Sequence, residues 1–118
     1  MRDIPCPCCG FLTLEGEYGS YAICPICDWE DDPVQLANPT SAGGANSKSL
    51  AKAQAGALVN HPVSVQIAEG FRRGSSWRPL TEAEFLSAEN RRASGPWSAK
   101  AVLNEEEAYW STALRAGE

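Results

Sequence analysis

The sequence predicts a small α+β fold, in which an N-terminal rubredoxin-like or zinc-ribbon β-hairpin module is followed by about three short helices. All five cysteines of the 118-residue chain lie in two clusters near its N-terminus. Short β-compatible runs adjoin these clusters, and the second half of the chain carries helix-capping signals. We therefore expect a four-cysteine module at residues 1–37. A loop and helical region at 38–118 should pack with it as one compact unit.

Two cysteine pairs, each with two intervening residues, predict a metal site. The first knuckle spans Cys6–Gly10 and the second spans Cys24–Cys27, and each has proline after its first cysteine. The pairs are 14 residues apart, close to the four-cysteine zinc spacing. Structural zinc prefers four tetrahedral ligands, so two hairpins could present the knuckles to one ion. The predicted ligands of one Zn²⁺ are Cys6, Cys9, Cys24 and Cys27. Iron in a rubredoxin-like site is the main competitor.

The fifth cysteine, Cys8, leaves the pairing in the first knuckle open in principle. Adjacent cysteines chelate one ion poorly because their side chains diverge, and a Cys6/Cys8 pair lacks a glycine at the right position. The Cys6/Cys9 pair matches the second knuckle in form. Cys8 is then spare, and is either packed as a small apolar residue or a reactive thiol near the metal.

Cysteine usage and the N-terminal segment favour the cytoplasm. Disulfides need an oxidising compartment, and no apolar signal-peptide core follows Met1 and Arg2. No apolar run approaches the roughly 18 residues of a membrane span. A thioredoxin-like site would place one cysteine pair at a helix start after a strand, whereas both pairs here lie in proline-containing turns.

Charge is distributed unevenly along the chain. Residues 1–32 carry seven carboxylates against one basic side chain, whereas residues 33–118 carry nine basic and eight acidic side chains. A zinc ion with four thiolates adds about two negative charges to the first segment. Such a module would repel phosphate, so binding of nucleic acid is not expected.

The segment around the second knuckle predicts a partner site. Strands are expected at 11–14 and 21–23, forming a hairpin between the knuckles. The knuckle is followed by Trp29, Glu30, Asp31 and Asp32. One interpretation is that Trp29 covers the metal site while the acids face water. The other is an acidic recognition surface for a basic protein, with Trp29 as its aromatic anchor.

Several motifs together resemble the bacterial cysteine-rich CPCC family. They are Pro5–Gly10, Ile23–Cys27, Trp29–Asp32 and Gly43–Leu50, and the similarity covers about residues 4–55. The resemblance implies a small zinc-binding protein of the bacterial cytoplasm. Members occur near secreted-toxin systems, which makes an immunity role plausible. The chain departs from the pattern at Asp28, where relatives often carry an aromatic or apolar residue.

Residues 33–67 are expected to form a loop, a helix and one further short element. Turn formers fill residues 33–48, and side-chain hydrogen bonds of Asn46 should fix this loop. Ser49 resembles the N-cap of a helix that continues to about Asn60. The single histidine, His61, is expected to end that helix rather than to bind metal. Residues 63–67 fit either a strand or a helix.

The remaining elements are a basic loop and two helices. Residues 70–79 form the basic patch of the chain, which is either a solvated loop, a site for an acidic partner or an internal pairing with the acidic module. Thr81 and early acids predict a helix to about Ala93, stopped by Gly95 and Pro96. Asn104 resembles the N-cap of a third helix, with a capping-box partner three residues later. The core should receive aromatic side chains from Trp97 and Trp110, and the last helix should add Ala113 and Leu114.

A protein-binding module is the function that the sequence favours. The acidic N-terminal surface suits a basic partner, such as a toxin that an immunity protein would inhibit. The alternatives are a regulatory zinc ribbon associated with nucleic acid and, with less support, a thiol-dependent enzyme. No catalytic constellation is evident, and four thiolates leave zinc no open position for water. We therefore expect no enzymatic activity, no small-molecule substrate and no membrane association.

Overall fold

A computed structural model of the chain describes residues 2–94 and 100–112. It contains four helices and two small antiparallel sheets, which is the α+β class expected from the sequence. The elements are, in order, β1 (Asp3–Ile4), β2 (Leu14–Glu15), α1 (Pro33–Ala37), α2 (Leu50–Asn60), β3 (Ile67–Ala68), β4 (Phe71–Arg72), α3 (Glu82–Ala93) and α4 (Tyr109–Thr112), with a 3₁₀ turn at Glu105–Glu107 before α4.

The N-terminal segment contains two short hairpins, and each carries one cysteine knuckle at its tip. Strand β1 pairs with β2 across the first knuckle, and a bridge between Ile23 and Glu30 closes the second. The predicted hairpin between the knuckles, which would pair residues 11–14 with 21–23, is therefore wrong. Phe11 instead bridges to Arg73, a residue of the second half of the chain.

The predicted loop at 33–48 contains a short helix that the sequence analysis missed. Helix α1 begins at Pro33, and its N-cap is Asp32. Proline at the first helical position costs no hydrogen bond, because that N–H has no intrahelical acceptor. The predicted fixing of the loop by Asn46 is confirmed. The Asn46 side chain accepts from the N–H of Glu30 and donates to its carbonyl, at 2.8 Å each.

Helix α2 has the predicted bounds. The Ser49 hydroxyl accepts from the N–H of Lys52, and the N–H of His61 donates to the carbonyl of Ala57 at the other end. The His61 ring packs edge-on against Phe11 with their centroids 5.7 Å apart. His61 therefore ends the helix, as expected, and the structure adds that its ring packs on the core.

The second half of the chain confirms one predicted helix and revises the other elements. Residues 63–67 were expected to be one strand or helix, but the structure has a turn and then a hairpin of β3 and β4. Helix α3 begins at the predicted capping box of Thr81 and Glu84. The Asn104 side chain makes no capping bond, and a 3₁₀ turn follows it. The predictions for Gly95, Pro96, Trp97, Ala113 and Leu114 concern positions outside the described residues.

The core joins both halves of the chain around the first knuckle. The carbonyl of Pro7 accepts hydrogen bonds from the side chains of Gln54, Trp77 and Tyr109, at 3.1, 3.3 and 3.2 Å. Trp110 is buried, as predicted. None of the helices in the described ranges is long and apolar enough to span a membrane.

Candidate metal centre

The two knuckles share one backbone arrangement. In the first, the N–H of Cys6 donates to the carbonyl of Phe11 at 2.9 Å, and the N–H of Gly10 donates to the carbonyl of Cys6 at 2.8 Å. The second repeats both bonds at 2.9 Å, with Cys24 in the place of Cys6, Asp28 in that of Gly10 and Trp29 in that of Phe11. Both turns are completed by a residue of positive φ, 85° at Gly10 and 66° at Asp28.

This repeated turn brings the four predicted ligands together. The Sγ atoms of Cys6, Cys9, Cys24 and Cys27 all lie within 4.8 Å of one another. The Cys6–Cys27 and Cys9–Cys24 pairs each have their sulfurs 3.7 Å apart. Zinc–thiolate bonds are about 2.3 Å, so the edge of a regular ZnS₄ tetrahedron is about 3.8 Å. The cluster therefore has the donor set and the dimensions of a tetrahedral metal site.

The protonation of the cluster also indicates a need for a cation. A hydrogen bond from the Cys27 thiol, and then those from Cys6 and Cys9, lower the pKa of Cys24. Burial raises the pKa of Cys6 well above its usual value. The hydrogen bond to Cys24 raises the pKa of both Cys9 and Cys27. Four adjacent thiolates cannot ionise together without positive charge between them, which a bound metal ion would supply.

The Cys24 sulfur has additional donors that the sequence analysis did not identify. The hydroxyl of Thr13 lies 3.1 Å from it, and the N–H of Ile26 lies 3.4 Å from it. Such bonds orient a metal-binding thiolate and stabilise its charge. The bond from Ile26 could have been predicted from the sequence, because Ile26 lies two residues after Cys24 in the same knuckle. The bond from Thr13 could not, because it depends on how the two hairpins pack.

Cys8 is buried in the core, and it lies outside the group of four converging sulfurs. It occupies the position of the first knuckle that Ile26 occupies in the second. An apolar isoleucine at the equivalent position agrees with the packing interpretation of Cys8. Of the two alternatives left open by the sequence, the structure places Cys8 as a buried core residue.

The two knuckles differ in exposure. The first is buried throughout, and a Cβ on Gly10 would overlap the ring of Trp77. The second faces outward, with Pro25 and Asp28 exposed and Cys27 partly exposed. Cys27 also borders a groove of about 530 Å³ between the second knuckle and α2. The centre is therefore more accessible to solvent from the side of the second knuckle.

The acidic surface predicted at Trp29–Asp32 is wrong for three of its four residues. Trp29, Asp31 and Asp32 are buried, and only Glu30 is partly exposed. Oδ2 of Asp31 accepts from the N–H groups of Gly19 and Ser20 and from the Ser20 hydroxyl, at 2.7–3.0 Å. This carboxylate therefore holds a turn inside the fold.

Asp32 is likewise used within the fold. Its Oδ1 accepts from the N–H groups of Val34 and Gln35 at the start of α1, and its Oδ2 accepts from the N–H of Ala45. Charged residues are rarely buried unless they are paired or hydrogen-bonded, and these bonds explain the burial of Asp32. The signal was present in the sequence as an Asp-Pro helix start, but the acidic run was assigned to partner binding instead.

The predicted basic patch is not a solvated surface, because two of its main residues are buried. Arg73 and Trp77 lie in the interior, while Arg72 is exposed. Arg78 pairs with Glu84 on α3, with nitrogen and oxygen 2.8 Å apart. The contacts of Arg73 and Arg78 are internal, but within the described residues they go to backbone carbonyls and to Glu84 of α3, and not to carboxylates of the acidic module as one interpretation had it.

Comparison with known families agrees with the resemblance seen in the sequence of the cysteine-containing segment. A model of the family described as Cysteine-rich CPCC matches residues 4–61. A search of curated proteins found no match. The family match includes all five cysteines, both knuckles and helix α2, and it extends slightly beyond the resemblance seen in the sequence. Residues 4–61, just under half of the chain, therefore match the Cysteine-rich CPCC family.

Proposed function

We propose that Cys6, Cys9, Cys24 and Cys27 bind one Zn²⁺ ion and that this ion has a structural role. The observation that carries the proposal is the convergence of four Sγ atoms within 4.8 Å, on two backbone turns of the same form. Four thiolates complete a tetrahedral shell and leave no position for a reacting water. We therefore also propose that the protein is not an enzyme.

The ion would supply much of the folding energy of the N-terminal segment. Its first hairpin has two-residue strands and its second has a single bridge, and hairpins this short are not stable alone. Structural zinc contributes about 10–16 kcal/mol in small zinc-finger peptides. That is as large as the whole stability of a typical domain.

The metal content of three proteins, purified without added metal, tests the ligand set. Wild type and Cys8→Ser should each contain one zinc per chain, and Cys9→Ser should contain much less. Elemental analysis measures the stoichiometry, and the red-brown absorption of ferric tetrathiolate would reveal iron instead. Equal loss of metal from both variants, or no metal in wild type, would contradict the proposed site.

A second proposal is that the outer side of the second knuckle binds a protein. Tyr21 and Ile23 are 50% and 61% exposed, and Asp28 and Glu30 add carboxylates close to them in the chain. Exposed apolar residues bordered by charge are typical of interaction sites. A basic protein is the partner class that this surface favours, in a reducing compartment such as the cytoplasm, where zinc-binding thiolates persist.

This second proposal has a narrower form in which the partner is a basic toxin and the protein is its inhibitor. It predicts that a captured partner loses affinity as NaCl is raised, and also loses affinity for Glu30→Lys but not for Glu89→Lys, a control on exposed α3. It further predicts that the partner's toxic activity falls when the protein is added. A partner insensitive to salt and to Glu30→Lys would contradict it, and salt-dependent DNA or RNA binding would support the nucleic-acid alternative.

A further inference from the structure

Arg73 is a buried arginine whose hydrogen bonds all go to backbone carbonyls. Its side chain is in the core, with the residue 4% exposed. Nε donates to the carbonyl of Cys9 at 3.0 Å. The two terminal nitrogens donate to three carbonyls just beyond helix α2, those of His61, Pro62 and Val65, at 2.7–3.0 Å. One guanidinium thus connects the first knuckle to the end of α2.

The charge of this guanidinium has no carboxylate partner within the described ranges. The ion pairs found there are Arg2–Glu105, Arg78–Glu84 and Arg92–Glu89. Arg73 instead lies over the face of Phe11, with Cζ 4.2 Å from the ring centroid. A buried charge is costly unless it is paired. The carbonyls and the aromatic ring stabilise the guanidinium, but they carry no net negative charge and therefore do not neutralise Arg73.

The thiolate cluster carries the opposite imbalance. A divalent metal bound by four thiolates has a net charge of about −2, and the cluster is largely buried. The contact with the Cys9 carbonyl places Arg73 directly beside one of the four ligands. Burial lowers the pKa of Arg73, and the Cys9 thiolate raises it. The two buried charges are therefore close enough to interact.

We propose that Arg73 is the internal counter-charge of the metal centre and that it positions the first knuckle for binding. This inference rests on the proposed four-thiolate site. The positive charge stabilises the metal-bound state, in which all four thiols have lost their protons. The fork of N–H groups also holds the Cys9 carbonyl, and the carbonyls just beyond the negative end of α2 provide a favourable environment for the cation.

A purely structural role for Arg73 makes different predictions. If the residue only ties the chain together, lysine should be nearly as damaging as methionine, because neither can bind four carbonyls. If its charge matters, Arg73→Lys should keep most of the metal affinity that Arg73→Met loses. Substitution of a residue that hydrogen-bonds to a metal ligand typically reduces metal affinity about 10- to 100-fold, and we expect Arg73→Met to fall in this range.

Titration with Co²⁺ tests the inference in wild type, Arg73→Met, Arg73→Lys and the control Arg78→Met. Arg78 donates to Glu84 and to the carbonyls of Pro79 and Tyr109 rather than to the first knuckle, so its variant should match wild type in affinity. The absorption bands give a readout of charge within the loaded site. Loss of the cation should raise the energy of the thiolate electrons, and the thiolate-to-cobalt band of Arg73→Met should shift to longer wavelength. The band of Arg73→Lys should stay near that of wild type.

The outcomes separate this inference from the proposal on which it rests. Wild type without a four-thiolate cobalt spectrum would overturn both. Wild-type binding with an unshifted band and unchanged affinity in Arg73→Met would overturn the counter-charge alone. Equal losses in the lysine and methionine variants would also overturn it, because geometry rather than charge would then be responsible. A neutral variant that fails to load, while Arg73→Lys loads normally, would support it.

Discussion

Gly10 and Asp28 occupy equivalent positions in the two knuckles, and both have backbone angles that most residues avoid. Their φ angles are 85° and 66°. Glycine adopts such angles freely, and aspartate tolerates them better than other side chains because it can hydrogen-bond locally. Gly10 also has no space for a Cβ beneath Trp77, whereas Asp28 is exposed. Both the backbone angle and the contact with Trp77 therefore restrict the residue at position 10, whereas only the backbone angle restricts the residue at position 28.

Substitutions at Asp28 should follow its backbone angle rather than its charge. Asp28→Gly should leave stability unchanged or raise it by up to about 1 kcal/mol, and Asp28→Asn should be close to neutral. Asp28→Val should cost about 1–2 kcal/mol, because a β-branched residue is strained at positive φ. Urea unfolding of the zinc-loaded variants gives these differences. If Asn and Gly were as damaging as Val, the carboxylate itself would be the important feature.

The buried carboxylates of Asp31 and Asp32 should affect stability before they affect binding. Asp32→Ala removes the N-cap of α1 and a bond to Ala45, and we expect a loss of about 1–2 kcal/mol. Asp31→Ala leaves the N–H groups of Gly19 and Ser20 without their acceptor, at a cost of about 1–3 kcal/mol. Thermal unfolding of both variants beside Glu30→Ala, a more exposed control, measures the effect. If Asp31→Ala were as stable as wild type, the internal role of Asp31 would be contradicted, and Asp31 would again be a candidate for partner binding.

At the scale of the elements, the stability that the N-terminal bonds of helix α3 contribute should depend on pH. Burial alone would raise the pKa of Glu84, but hydrogen bonds from Arg78 and from the Thr81 N–H lower it below its usual value of 4.5. Because the folded-state pKa is the lower one, the stabilisation is present above about pH 4.5 and is lost as the pH falls through the folded-state value. Its partner Thr81 should contribute about 1 kcal/mol as the N-cap.

The comparison of wild type with Glu84→Gln isolates this effect from protonation of the cysteines. The difference in unfolding free energy between the two proteins should be constant near neutral pH and should shrink as the pH falls below about 4.5. Subtraction removes the contribution of the metal site, which both proteins share. Glu89→Gln is the comparison for an exposed pair: the hydrogen bond from Arg92 also lowers the pKa of Glu89, but solvent screens this pair, so its difference from wild type should change less with pH. A difference for Glu84→Gln that stays constant below about pH 4.5, as far as the zinc-loaded proteins remain folded, would contradict the assigned bonds.

The elements that were predicted correctly are those with local signals. The capping box of α3 and the Ser49 cap of α2 lie within four residues of the bonds they make. The cysteine spacing is similarly local, because each knuckle is a single turn. The hairpin pairing was wrong because Phe11 pairs with Arg73, 62 residues further along the chain. The internal use of Asp31 and the carbonyl contacts of Arg73 could not be predicted for the same reason, since each depends on long-range packing.

At the scale of the whole molecule, the first knuckle is the point on which distant segments converge. Besides Gln54, Trp77 and Tyr109 at the Pro7 carbonyl, Tyr18 donates to Pro5 and Gly74 donates to Gly10. These donors come from both halves of the chain. If the metal fixes the knuckles, it indirectly fixes α2, the loop that carries Trp77, and the start of α4.

Removal of the metal should therefore unfold the chain as one unit rather than only its N-terminal segment. Chelation should abolish the helical circular dichroism and the emission of buried tryptophan in a single transition, because the expected metal contribution of about 10–16 kcal/mol exceeds the stability of most small domains. Gln54→Ala removes hydrogen bonds to Pro7, Leu80 and Tyr109. It therefore weakens the contact between the first knuckle and the rest of the chain without changing a metal ligand. In this variant the fluorescence and dichroism transitions should separate. Retention of the helical signal after chelation of wild type would show instead that residues 38–118 fold independently, and the division at residue 37 would then mark a domain boundary.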